Sequence, residues 1–254
     1  MRRDTRGLGH RVRGYCHWMR RLGLQLRSTL WDMTPRDHRQ SAREFRRRQI
    51  VSAVVVVVGA FVLAFALGRT DPGSKEFYGA TLLLAGVWTV GAFASGPIHL
   101  GRIGLDETVA ARPIVQPILV GLGLAAVFVV GAFIVRLITP LADQVREVLN
   151  FAGEGSSAGL LLIVTVLNGI AEELFFRGGL YAAIPRRQVP ITAVAYAIAT
   201  AATGNVMLSF AALVLGVVVG LERRASGGIL APVLTHLVWS VTMLYALPAI
   251  LPPL

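Results

Sequence analysis

Gln49–Gly68 reads QIVSAVVVVVGAFVLAFALG, twenty residues without a charge. Wound as a helix, such a run rises ~30 Å, the thickness of a bilayer's hydrocarbon core. The sequence therefore predicts a membrane span here. Phe77 to Ile98, Pro113 to Val135 and Ala158 to Phe176 each suit one further crossing. So does Gly228 to Leu247, which takes Pro232 in its first turns and is expected to end at Pro248, Pro252 and Pro253, because proline disrupts a helix interior. Gln188 to Leu221 is also uncharged, but ~51 Å is too long for one crossing. Thr203-Gly204-Asn205 interrupts it, so it divides into two short spans. The expected fold is an all-α, polytopic transmembrane bundle of about seven spans.

Composition supports this reading. Of 254 residues, 54% are hydrophobic and only 15% charged, where a soluble domain carries roughly 25% charged residues. Residues 1–48 hold fourteen arginines and four acids, and thus ten of the eleven net positive charges. The other four-fifths is almost neutral, which suits a surface covered by lipid rather than water. In the basic arm Tyr15, Trp18, Met19, Leu22, Leu26 and Leu30 recur at helical spacing. This pattern predicts an amphipathic helix lying on anionic lipid, in preference to nucleic-acid binding. A cleaved signal peptide is not expected, since the 48-residue polar lead and the 20-residue apolar run are both too long. Cys16 is the single cysteine, so there is no internal disulfide, and it is given no role.

Cationic residues in short loops stay on the cytoplasmic side. With seven spans and the arm inside, Arg102, Arg112, Arg177, Arg186, Arg187, Arg223 and Arg224 fall inside, and Arg69, Lys75, Arg136 and Arg146 outside. The expectation is a plasma-membrane protein with a cytoplasmic N-terminus and an outer C-terminus. It divides into an arm (1–48), N-terminal transmembrane helices (49–109) and a membrane-embedded domain (110–254).

A carboxylate within a span is a functional candidate, because placing it there costs about 2.5 to 3.5 kcal/mol. Asn168-Gly-Ile-Ala-Glu172-Glu173-Leu-Phe-Phe-Arg177 holds two. Glu173 and Arg177 stand four apart and can pair on one helix face. Glu172 points about 100° away with no such partner, above Asn168. That division predicts one working carboxylate and one structural pair. His236 and Thr200 lie in other spans at depths compatible with a shared site, and Ser240 shares a face with His236.

The string Glu172-Glu173-x-x-x-Arg177, followed some sixty residues later by His236, resembles the CPBP family, which includes the type II CAAX prenyl endopeptidases. The resemblance covers roughly residues 110–250. It implies an intramembrane endopeptidase in which Glu172 activates a water, Glu173 with Arg177 steadies the site, and His236 with Ser240 stabilises the oxyanion. It also implies a membrane-associated peptide or protein substrate. Two departures stand out. The family's F-x-x-x-H aligns with Tyr196-x-x-x-Thr200, which lacks the second histidine, and Ser240 replaces Asn or Asp. Asn205, just past Thr200, is a candidate substitute contact. No H-E-x-x-H occurs, and His236 is the one histidine deep in a span, too few ligands for a typical zinc site. A metal-independent glutamate base with no cofactor is expected. A non-catalytic relative that binds or scaffolds membrane partners is the alternative, and a transporter using Glu172 is a weaker third, since no repeat is visible.

Overall fold

The computed structural model describes residues 27–33, 40–71, 73–104, 110–150 and 157–252. Most of the basic arm, including Cys16 and the amphipathic pattern from Tyr15 to Leu26, lies outside the described residues. Its described end is a π-helical turn, Arg27–Trp31, whose Leu30 carbonyl accepts from Arg224 Nη2 at 3.2 Å.

Eight helices follow among the described residues: α1 (Ala42–Gly68), α2 (Lys75–Ser95), α3 (Val115–Val135), α4 (Thr139–Asn150), α5 (Ala158–Ala183), α6 (Gln188–Ala201), α7 (Val206–Ser226) and α8 (Leu230–Ile250). Six are long and apolar enough to cross a bilayer, and α6 is a shorter apolar helix. The chain is a multi-pass integral membrane protein. Outward-facing Val57, Phe61, Val127 and Val130 are more than half exposed, the expected lipid-facing surface of a bundle.

Three boundaries depart from the sequence expectation. α1 begins at Ala42, because Ser41 and Glu44 form a reciprocal capping box that starts the helix inside the basic segment. Arg43, Arg46, Arg47 and Arg48 therefore lie on the same helix as the first span. α8 runs through Pro248 to Ile250. A proline so near the end removes one ladder bond, and Leu251 N still donates to Leu247 O at 2.8 Å. The polar segment after α3 forms α4, which the apolar-run reading passed over because its apolar positions alternate with Asp143, Gln144, Arg146 and Glu147. A minimal antiparallel ladder, β1 (Ile103–Gly104) with β2 (Ala110–Ala111), lies between α2 and α3.

The predicted break at residues 203–205 is present. Gly204 adopts φ +79°, a left-handed conformation natural to glycine, and Asn205 caps α7 by accepting from Leu208 N at 2.9 Å. α6 and α7 thus form an antiparallel pair. α3 packs on α8, α1 on α2, and α5 lies against both α2 and α8.

The core joins the first two helices to the rest. Trp88 of α2 stacks on Phe175 of α5 with ring centroids 4.9 Å apart, and Phe176 lies 5.0 Å from the same indole. On its other side the indole is seated against Gly59 of α1, where a β-carbon would overlap the ring. Small residues at membrane helix contacts permit this close approach. Gly59→Ala should therefore destabilise the bundle by about 1–3 kcal/mol through overpacking. Thermal unfolding in detergent measures this, and an unchanged midpoint would show that α1 and α2 separate freely at this contact.

Candidate active site

α5 carries Glu172 and Glu173 at the point where its winding changes. Ala158–Glu173 is α-helical, and Leu174–Leu180 is π-helical. Such wider turns often accompany functional sites. Gly178 and Gly179 within this stretch allow α5 to approach α2 and the chain after it, since a β-carbon on Gly179 would come within 2.8 Å of Ser95 Oγ.

The predicted pair forms. Arg177 Nη1 donates to Glu173 Oε1 at 3.0 Å, and both side chains are fully buried. His236 of α8 points its Nδ1 at the same oxygen, 2.7 Å away. Its Nε2 faces Glu172 Oε2 at 3.9 Å. The imidazole is thus held between the two glutamates, although they come from adjacent positions on another helix. Glu173, as the ion-paired partner of Arg177, accepts a hydrogen bond from His236 Nδ1–H, which leaves Nε2 directed at Glu172.

Glu172 is the more accessible carboxylate, 16% exposed against 0% for Glu173. It is not without a partner, as the helix spacing alone suggested: the Tyr196 hydroxyl of α6 donates to Glu172 Oε2. The Tyr196 ring also lies under the Arg177 guanidinium, 4.9 Å from its centroid, a favourable cation–π geometry. One aromatic side chain therefore touches both the working carboxylate and the structural pair. Sequence reasoning missed this role for Tyr196. The signal was present as a tyrosine at the position where the F-x-x-x-H motif carries phenylalanine.

The other sequence candidates sit apart from this network. Thr200 is buried, but its hydroxyl donates to the Tyr196 carbonyl one turn earlier at 2.9 Å. Ser240 makes no hydrogen bond among the described residues, and faces a cavity of about 530 Å³ between α3, α4, α7 and α8. Asn205 does not join the cluster either. Besides capping α7, its Nδ2 donates to Gln144 O at 2.7 Å and Glu147 Oε2 at 3.3 Å, fastening α4 to α7. Asn168 Nδ2 turns back to Val164 O at 3.0 Å rather than toward Glu172. Among the described residues, no group of three His, Cys, Asp or Glu side chains is arranged to hold a metal ion.

Arg223 of α7, counted from the sequence as a loop charge, is buried and donates from Nε to the Arg177 carbonyl at 2.7 Å. It ties the π-helical stretch to α7.

No curated protein and no solved structure matches the chain. A family model does: the one described as type II CAAX prenyl endopeptidase Rce1-like matches residues 154–242, the stretch that holds Glu172, Glu173, Arg177, Tyr196 and His236. Over that stretch, the chain is similar to the Rce1-like type II CAAX prenyl endopeptidases.

Proposed function

We propose that this protein is an intramembrane endopeptidase that hydrolyses a peptide bond of a membrane-associated substrate with a water activated by Glu172. The observation that carries the reading is the convergence of Glu172, Glu173, Arg177 and His236 in one buried cluster, with Glu172 as its most accessible carboxylate. With His236 as imidazolium, two negative and two positive side chains balance, which suits a site shielded from water.

In this reading Glu172 takes a proton from water as its oxygen attacks the scissile carbonyl carbon. The negative charge moves to the carbonyl oxygen, where His236 Nε2–H stabilises it, with Glu173 holding the ring from behind. Collapse of the tetrahedral intermediate breaks the C–N bond, and Glu172 returns its proton to the departing amine. Glu172, Glu173, Arg177 and His236 supply these steps without a metal ion, and neither Thr200 nor Ser240 is required.

The Tyr196 hydroxyl orients Glu172 by donating to its Oε2. Tyr196→Phe should lower kcat by roughly 10- to 100-fold, the weight of one hydrogen bond to a charged group. The test is cleavage by purified protein in proteoliposomes, on a substrate found by comparing membrane proteomes with and without the protein. Full activity in Tyr196→Phe would remove the tyrosine from the mechanism. One observation favours a second reading, a non-catalytic membrane binder: Thr200 stands in place of the second histidine, and its hydroxyl is engaged by backbone. Absence of any cleaved membrane peptide in the same comparison would decide for it.

The proposed setting is the plasma membrane, with the arginine-rich arm on anionic lipid at the cytoplasmic face and the C-terminus outside. Cys16 and a thiol introduced at the C-terminus should then react with impermeant reagents from opposite sides. Labelling from one side only would mean that α6 fails to cross.

A further inference from the structure

Glu222, on the last turns of α7, is a fully buried carboxyl that the mechanism above does not use. It makes no ion pair among the described residues, and its Oε2 has no hydrogen-bond partner there. Its Oε1 lies 2.9 Å from the hydroxyl of Thr235 on α8, and that hydroxyl lies 2.9 Å from the carbonyl oxygen of Pro117 on α3. Thr235 is itself fully buried and immediately precedes His236. Close by, α3 meets α8 at Gly121, where a β-carbon would come within 2.9 Å of the Thr235 carbonyl oxygen. The three helices thus meet at one polar point inside an otherwise apolar contact.

Counting protons decides how this point is held together. A threonine hydroxyl has one proton to give, and a backbone carbonyl only accepts. If Thr235 donates to Pro117 O, its contact with Glu222 Oε1 is a hydrogen bond only when Glu222 supplies the proton. If Thr235 instead donates to an ionised Glu222, two oxygens without a proton face each other at Pro117. An ionised Glu222 would also be an unpaired charge in a closed interior. The chain Glu222 O–H to Thr235 O–H to Pro117 O satisfies every contact.

We infer that Glu222 is a positioning residue: it keeps a proton, donates a hydrogen bond with it to the Thr235 hydroxyl, and through Thr235 and Pro117 fixes the rotation of α8 that holds His236 between Glu172 and Glu173. The neighbouring Arg223 acts on the other wall of the site, through its bond to the Arg177 carbonyl. Two adjacent residues of α7 therefore brace the helices that carry the two halves of the cluster. The inference rests on the proposed hydrolytic reading only in treating His236 as part of a working site.

Two measurements on the full-length protein in nanodiscs test it without need of turnover. Infrared difference spectra of wild type against Glu222→Gln at neutral pH should show the loss of one carboxylic-acid C=O band. Loss of a carboxylate band instead would overturn the protonated state. Nitrogen NMR of labelled histidine should show the His236 ring resonances shifted in Thr235→Val, which keeps the side-chain shape and removes the hydroxyl. In Glu222→Gln, whose amide N–H replaces the acid proton, they should stay at their wild-type positions. Unshifted His236 resonances in Thr235→Val would overturn the positioning role. Should that variant not accumulate, Glu222→Leu is read in the same way. Absence of peptide cleavage would remove the hydrolytic reading and leave both measurements intact.

Discussion

Glu172→Gln should accumulate in the membrane like wild type and lose peptide cleavage by about 10²- to 10⁴-fold in kcat, the usual weight of a general base. The amide retains the shape of the side chain, and its oxygen can still accept from the Tyr196 hydroxyl. What it cannot do is take a proton from water. Glu172 is outside the Arg177–Glu173 ion pair and partly accessible, so its neutralisation leaves that pair intact. Because the change acts on proton transfer, KM should move much less than kcat. Cleavage surviving at the wild-type rate would sink the glutamate-base mechanism, whatever the substrate proves to be.

Glu173→Gln should have the opposite profile. Removing one partner of a buried ion pair costs about 3–5 kcal/mol, against a total stability of roughly 5–15 kcal/mol for an ordinary domain. Here the loss falls on two neighbours at once, because a single oxygen, Glu173 Oε1, serves both Arg177 and His236. The variant should accumulate poorly and unfold at lower temperature in detergent. Adding Arg177→Met should restore part of the stability, since the stranded cation is then gone while the imidazole contact is still lost. Accumulation of Glu173→Gln equal to that of Glu172→Gln would abolish the division between working and structural carboxylates.

These two expectations differ for a reason that the sequence already contained. The i, i+4 spacing of Glu173 and Arg177 announces their pair, and a helix of fixed pitch turns Glu172 elsewhere. The spans were equally readable, because hydrophobic run length is a direct consequence of bilayer thickness. What escaped was everything set by contacts between helices. Tyr196 and His236 are forty residues apart, and no periodicity says that both reach Glu172. Glu222 directly follows the uncharged run that ends at Leu221, yet it lies inside α7 and faces Thr235. Thr200 and Ser240 were placed by alignment with motif positions. In the structure one hydroxyl is spent on its own helix and the other faces the cavity. α4 escaped for another reason, since a short amphipathic helix has neither the length nor the uniform apolarity of a span.

The π-helical stretch Leu174–Leu180 bears on how this protein can vary. A wider turn amounts to one extra residue set into an α-helical frame. Removing one residue between Glu173 and Tyr181 would return the segment to ordinary winding with the helix beyond it still in phase, but removing one between Glu173 and Arg177 would also break the i, i+4 spacing of their pair. The side chains along this stretch can be exchanged one at a time, each with a local effect. Their number between Glu173 and Arg177 cannot, so a change of length here is expected only in the stretch after Arg177.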